Sequence, residues 1–576
     1  MTRMTAAEAA VKVLESEGVE YIFGIPGANI NSFYAALSRS TQIKHLISRH
    51  EEGASHAADG YARASGKVGV CAGTSGPAGT NFVTGLYTAQ ADSIPIIAIT
   101  GQHLRAFKGK EGFQAVDIDE IAKPVCKKTY YVREAAQVPF VFREAFRIAQ
   151  ENRPGPVLID LPLDVQQGMI EYDPDVDSPL AFQKPAPDPR KIRKAMEMLL
   201  AAEKPILLVG GGVVISGASD EARDLAEYLQ VPVVNTSMAK GVVPFSHPLY
   251  AGEVGVQACT IAGNRAFLDS DVVLAVGCRF ADRHTGALDV YTRGRRFIHV
   301  DVEPTQIGRI IPADLGIVSD AKLALKALVE AAREMTPPRS PDERVRKIPQ
   351  MKRELARRTD FTQVPIKPQR VFGEINEFFD PETIFVTCIG LNQIWSGQLQ
   401  EIERPGHYIF PGGAGPLGWD LPAAIGIKLA KPQNLVVDIT GDYGIQFCIE
   451  ELAQAVQYKV PVLVVVVNNG NMSLIRQNQK YVYNVRHAID LAYSSVDGED
   501  NLLDFVKLAE AYGAYGDRVT RPEDIKPAFA RAIERAISRG IPAIVDITVE
   551  RDTDASMGAS IEKVVEYEPL PELVTV

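Results

Sequence analysis

Two apolar runs of this chain end in oxygen-bearing side chains. "NLVVDITGD" (434–442) closes on Gly441-Asp442, and "VPVLVVVVNN" (460–469) closes on Asn468-Asn469. A carboxylate and amide oxygens are hard donors suited to Mg²⁺ or Ca²⁺, and Mg²⁺ keeps several positions for phosphate oxygens and water. These residues could therefore hold a metal that in turn holds a phosphate. Taken singly they also have plainer uses, Asp442 as a helix cap and the Asn pair as a turn. A further acid, Glu51, falls between the short apolar "KHLIS" (44–48) and the helix-like "EEGASHAADGYARA" (51–64). There too a plain use exists, because a helix dipole favours an acid in the first turn. His50 and His56 form no metal-ligand spacing.

What would bring Asp442 and the Asn pair together is a βαβ unit. The runs 434–440 and 460–467 read as buried strands, and "IQFCIEELAQAV" between them carries Ile445, Ile449, Leu452 and Val456 at helical spacing, which predicts one helix. Strands joined in this way are parallel and finish at the same sheet edge, where open α/β sheets bind ligands. Two glycine loops, "GTSGPAG" (73–79) and "GGAGPLG" (412–418), share the pattern G-x-x-G-P-x-G, and each opens an apparent helix. The echo predicts first and third units of similar fold. "GAGPLG" also satisfies G-x-G-x-x-G, but only "HYIF" precedes it and Pro416 sits inside the turn, so a nicotinamide fingerprint is a poor reading.

The chain has 576 residues, too many for one core. Pro- and charge-rich stretches at 171–191 and 334–354 read as linkers. The expected organisation is α/β with three doubly wound parallel-sheet domains, at 1–170, 190–335 and 365–550, and a tail at 551–576. A hydrophobic content of 46% with 23% charged residues is that of an ordinary globular protein, and a net charge of −11 argues against a nucleic-acid surface. The six Cys are scattered without a CxxC pair, so they read as free thiols in a reducing compartment. No signal-peptide pattern opens the chain, and no run reaches the about 18 apolar residues of a membrane span. A cytoplasmic protein without membrane partners is expected.

With these residues in view, the chain resembles the thiamine-diphosphate enzymes of the acetolactate synthase group over essentially its whole length. Gly441-Asp442 through Asn468-Asn469 matches that family's third-domain signature, and "FGIPGANI" (23–30), "RHEEGASHAADGYARASG" (49–66), "GTSGPAGTN" (73–81) and "GFQAVDI" (112–118) match its first domain. The resemblance implies Mg²⁺ held by Asp442, Asn469 and Asn471, the last through its main-chain oxygen. It implies a cofactor site including Pro26, Gly27, Ser75, Gly76, Asn81, Gly415, Leu417, Gly441, Asp442, Tyr443, Gly444, Asn469, Leu474 and Ile475. The family's catalytic carboxylate maps onto Glu51, its apolar wedge beneath the bent cofactor onto Leu417, and Gln114 is a candidate for contacting intermediates.

"RPGPVLIDLP" (153–162), "LLVGGGV", "GCRFADRHTG" (277–286) and "HVDVEPTQIGR" (299–309) are similar to the FAD-binding segments of the acetolactate synthase and glyoxylate carboligase branches. They implicate Arg153, Gly210, Gly211, Gly212, Arg279, Asp282, Arg283, Asp301 and Asp320 around a structural FAD. In wording ("FQAVDI", "IAKPV", "AGPLGW", "LIRQNQ") the chain is nearest the glyoxylate carboligase branch. Asn478 stands where acetolactate synthases tend to have a Trp that reads the second oxoacid, which fits a smaller substrate. Glyoxylate carboligases typically carry Val where this chain has Glu51. The expected activity is decarboxylation of glyoxylate and its joining to a second glyoxylate, giving tartronate semialdehyde, with pyruvate-using acetolactate synthase as the alternative. Small 2-oxoacids are the expected partners, a homodimer the minimum active unit and a homotetramer the expected assembly.

Overall fold

A computed structural model of the chain describes residues 2–494 and 500–570. The last six residues of the expected tail, 571–576, lie outside it. Eighteen strands make three six-stranded sheets, and every pairing within them is parallel. The first contains β1 (Tyr21–Gly24), β2 (Lys44–Ile47), β3 (Gly69–Gly73), β4 (Ile96–Gln102), β5 (Lys128–Tyr131) and β6 (Val157–Pro162). The second contains β7 (Pro205–Val209), β8 (Val233–Asn235), β9 (Tyr250–Glu253), β10 (Val272–Val276), β11 (Arg296–Asp301) and β12 (Leu315–Val318). The third contains β13 (Ile384–Thr387), β14 (Tyr408–Ile409), β15 (Val436–Gly441), β16 (Leu463–Asn468), β17 (Tyr515–Val519) and β18 (Ala543–Thr548).

Spatial order runs β2-β1-β3-β4-β6-β5 in the first sheet and β14-β13-β15-β16-β18-β17 in the third. The two orders are the same permutation, which is the structural content of the repeated glycine loops. The middle sheet runs β9-β8-β7-β10-β11-β12, the order of doubly wound dinucleotide-binding sheets. Helices cover both faces, so the central strands are buried along their whole length, as parallel sheets require: Leu463–Asn468 has no exposed residue. The α/β class with three parallel sheets is as expected from the sequence.

The first and third units pack through the helices Glu51–Ser65 and Asp420–Ala430. Their backbones touch: a Cβ on Gly60 would lie 2.3 Å from the Ala423 carbonyl oxygen, and one on Gly426 only 2.0 Å from that of Ala57. Any side chain at either glycine would force the helices apart.

Two local expectations fail. Residues 445–456 are not one helix: a 3₁₀ turn spans Gly444–Phe447 and the α-helix begins at Glu451. The Gln446 side chain turns back to donate to the Asp442 carbonyl (2.7 Å), and Phe447 points outward, 46% exposed. The charge-rich 334–354 is not all linker, because Glu343–Glu354 is a helix. Asp342 caps it, accepting from Val345 N at 2.8 Å, and Val345 and Ile348, three apart, are buried.

Candidate active site

Gly441 at the end of β15 is in register with Val467, which places Asp442 beside Asn468 and Asn469 at the end of β16. Asp442 is 5% exposed. Its Oδ1 accepts from Tyr443 N (2.9 Å) and its Oδ2 from Gly470 N (2.6 Å). Burial pushes its carboxyl up to about 7, and the backbone N–H groups only partly offset that. The Asn pair divides its work. Asn468 donates to the Asp546 carboxylate at 2.9 Å and is spent inside the sheet. Asn469 stays at the edge beside Asn471, its amide donating to Ser473 Oγ. The Asn471 side-chain oxygen is buried with no hydrogen-bond partner, while its main-chain oxygen accepts from Ser473 N at 2.8 Å. Here, then, are a buried carboxyl with no cationic partner and an orphaned buried oxygen, both at a strand end. These residues fit a hard divalent cation bound through oxygen. Among the described residues no cluster of three His, Cys, Asp or Glu side chains offers a different metal site.

Around this edge, Tyr443 and Gly444 continue the turn after Asp442, and Leu417 Cδ2 lies 3.7 Å from where a Cβ on Gly444 would be. Gly415 takes φ +60° beside Ile389. Leu474 and Ile475 stand in the helix Ser473–Asn478, Leu474 packed on the third core and Ile475 45% exposed. Asn478 ends that helix exposed.

The other candidate cluster gathers at the carboxyl ends of β1 and β3. Glu51 begins its helix directly after the His50 cap and is half-buried. Its Oε2 accepts from Asn81 Nδ2 at 2.9 Å, and among the described residues none donates to Oε1. Ser75 is fully buried and accepts from Asn29 Nδ2 at 2.6 Å. Gly27 lies against Thr74, and Gly76 (φ +64°) against Gln114. Gln114 itself takes φ +58°, uncommon for a residue with a side chain. Pro26 is exposed at the rim of this loop.

In the middle unit, Gly210, Gly211 and Gly212 follow β7, Arg279 follows β10, and Asp301 ends β11, so these candidates share one carboxyl edge. Gly210 and Gly212 press against the Gly277 turn, and Gly211 faces Met238. Arg153 donates to Ser93 Oγ at 2.8 Å. Burial and then Arg279 hold the Arg153 guanidinium below its usual pKa, while burial pushes Asp301 up to about 6. Two guanidiniums close enough for one charge to act on the other fit an anionic group such as a diphosphate. Arg279 also reaches Asp92 of the first unit at 3.2 Å. Asp282 and Arg283 open a short helix, where Arg283 donates to Gln257 Oε1 (2.6 Å). Asp320 is engaged otherwise: it caps the helix Ala321–Met335, accepting from Lys322 N and Leu323 N, and pairs with Lys184 at 3.1 Å.

Sequence patterning does not mark Glu451, yet its fully buried carboxylate accepts from the backbone of Arg49 and His50, just before Glu51. No spacing in the sequence signals it, since Gln454 and Gln457 on the same helical face are polar as well.

Residues 4–121 match the N-terminal TPP binding domain of the thiamine pyrophosphate enzymes, 192–328 their central domain and 388–547 their C-terminal TPP binding domain. The chain is 48% identical to the glyoxylate carboligase of Escherichia coli O157:H7, with 99% of this chain and 98% of that protein covered. It is 40% identical to a probable acetolactate synthase large subunit of Methanocaldococcus jannaschii (95% and 92% covered). It is 39% identical to the acetolactate synthase of Mycobacterium leprae (98% and 90% covered). With three family domains in order and near-complete coverage of these relatives, the chain belongs to the thiamine pyrophosphate enzyme family.

Proposed function

We propose that this protein is a thiamine-diphosphate-dependent carboligase that decarboxylates glyoxylate and joins the remaining carbon to a second glyoxylate, giving tartronate semialdehyde. The observation that carries the reading is the 48% identity to a glyoxylate carboligase over nearly the whole of both chains. Asp442, Asn469 and the Asn471 carbonyl would hold Mg²⁺ and, through it, the diphosphate. Thiamine diphosphate, when bound, supplies a thiazolium ring that acts as the electron sink as CO₂ leaves. Glu51 would hold the proton at the aminopyrimidine N1′ through Oε1, since Asn81 occupies Oε2. Leu417 beside Gly444 would pack against the cofactor, and Ile389, Leu474 and Ile475 would supply apolar surroundings that favour loss of a charged carboxylate. Incubation with thiamine diphosphate, Mg²⁺ and glyoxylate should yield one CO₂ per tartronate semialdehyde. Absence of CO₂ release refutes the reading. Glu51 itself favours a second reading, acetolactate synthase acting on pyruvate, because the glyoxylate branch typically has Val there.

The divalent metal should bind with a marked pH dependence. A carboxyl whose pKa is raised to about 7 is neutral below that pH and must lose its proton to bind a cation. Mg²⁺-dependent cofactor affinity should therefore fall about tenfold for each pH unit below neutrality and level off above it. Calorimetric titration at pH values on either side of 7 tests this; a flat profile would mean Asp442 is not a ligand.

An FAD in the middle unit is supported by the order of its sheet and by Arg279 at its carboxyl edge, near enough to Arg153 of the first unit for their charges to interact. The purified protein should be yellow, with one FAD per chain released by denaturation. Colourless, fully active protein that ignores added FAD would remove this cofactor. Glu51 from one subunit would meet the diphosphate site of another, making a homodimer the minimum active unit.

A further inference from the structure

Strand β2, which leads to Glu51, is at the edge of the first sheet and pairs only with β1. Successive N–H groups of an edge strand point alternately into the sheet and out of it, and the outward ones need partners from elsewhere. Ser48 N points inward, to the Gly24 carbonyl. Ile47 N and Arg49 N point outward, and the third unit satisfies both. Ile47 N donates to Tyr458 Oη (3.0 Å), and Arg49 N donates to Glu451 Oε1 (2.8 Å). His50 N donates to the same Glu451 oxygen at 3.0 Å. Gln454 Nε2 donates to Ser48 Oγ (3.0 Å), and the Arg49 guanidinium donates to Gln457 Oε1 (2.6 Å). Residues 451, 454, 457 and 458 share one helical face. One short helix, Glu451–Gln457 with Tyr458 after it, thus stands where a seventh strand would.

Glu451 is fully buried, and a Cβ on Gly53 would come within 2.5 Å of its Oε1, so the carboxylate lies beneath the first turn of the Glu51 helix. Its Oε2 is buried without a partner. The segment that presents it begins at Asp442, so the candidate metal ligand and the support of the turn before Glu51 share one stretch of backbone.

We propose that Glu451 is the positioning residue for Glu51: by accepting from Arg49 N and His50 N it fixes the turn that aims the Glu51 carboxylate. This rests on the reading of Glu51 as the carboxylate at N1′. Burial pushes the Glu451 carboxyl up to about 7, so its neutral form is within reach, and a Gln amide carbonyl can accept the same two N–H groups.

The test takes the full chain as Glu451→Ala, Glu451→Gln and Glu51→Gln. Backbone amide exchange over 47–53 is read without cofactor, and hydrogen–deuterium exchange at the cofactor C2 is read with it. Glu451→Ala should speed amide exchange over 47–53 by about tenfold or more. It should slow C2 exchange by about tenfold, and Glu451→Gln should restore both. Amide exchange unchanged in Glu451→Ala overturns the proposal. So does C2 exchange that is slowed in Glu51→Gln but not in Glu451→Ala, or that is slowed equally by Ala and Gln. Unchanged C2 exchange in Glu51→Gln would instead sink the reading of Glu51, and the proposal with it. Should Glu451→Ala not fold, Glu451→Asp keeps the charge but withdraws the carboxylate from the Arg49 and His50 N–H groups by one methylene. Faster amide exchange with slower C2 exchange is then expected, and no change in either contradicts the proposal.

Discussion

Asp442→Ala is expected to abolish retention of thiamine diphosphate, and with it all carboligation. Loss of even an outer partner of a metal ligand typically costs 10–100-fold in affinity, so loss of a direct ligand should exceed about 100-fold. The fold should survive. The Asp442 carboxyl is pushed up to about 7, so stability is lost as pH rises from the ordinary carboxylate range to that value, and the full cost of burying the anion stands above it. Removing it therefore relieves a cost above neutral pH, against the loss of the acceptor for Tyr443 N and Gly470 N. Circular dichroism should show native secondary structure in the cofactor-free variant, while calorimetry shows no Mg²⁺-dependent binding. Cofactor binding at micromolar levels by the variant would place the metal elsewhere.

Glu51→Val should give a split result. A carboxylate at N1′ would favour the imino tautomer, which supplies the base for the C2 proton, and such general acid–base contributions run to about 10²–10⁴-fold. Exchange at C2 should therefore slow by at least about tenfold. Carboligation of glyoxylate should fall less, because the branch this chain most resembles typically works with Val at that position. Glu51→Gln should slow exchange similarly, since an amide cannot carry the charge, while Asn81 can still donate to its carbonyl oxygen. Unchanged exchange in both variants would mean that Glu51 does not touch N1′ and would turn attention to Glu52.

Much of the architecture is legible in the sequence because parallel strands leave a strong trace. β16 is a nearly continuous valine run and β15 a short, buried, mostly apolar one, and their polar ends fall at the same edge as a matter of chain geometry. The junction before Glu51 is equally plain, a four-residue strand and then a helix opened by an acid. What periodicity cannot show is which unit satisfies an edge strand. Glu451 lies some four hundred residues from Arg49, and nothing in its neighbourhood distinguishes a buried acceptor from a solvated helix acid. The same limit explains the 3₁₀ turn at Gly444–Phe447. Ile445 and Ile449 have helical spacing, but the turn after Asp442 and the return of Gln446 to the Asp442 carbonyl break the helix. Nor does composition separate Asn468 from Asn469; only the Asp546 carboxylate on the neighbouring strand shows that Asn468 is spent within the sheet.

Substrate identity is decided most directly by competition. Glyoxylate and pyruvate at equal concentration, with thiamine diphosphate, Mg²⁺ and FAD present, should give tartronate semialdehyde as the dominant product by NMR. The excess over acetolactate should be about tenfold or more, the discrimination available when a pocket is shaped for a substrate one methyl smaller. Acetolactate as the dominant product would contradict the glyoxylate assignment and make the protein an acetolactate synthase.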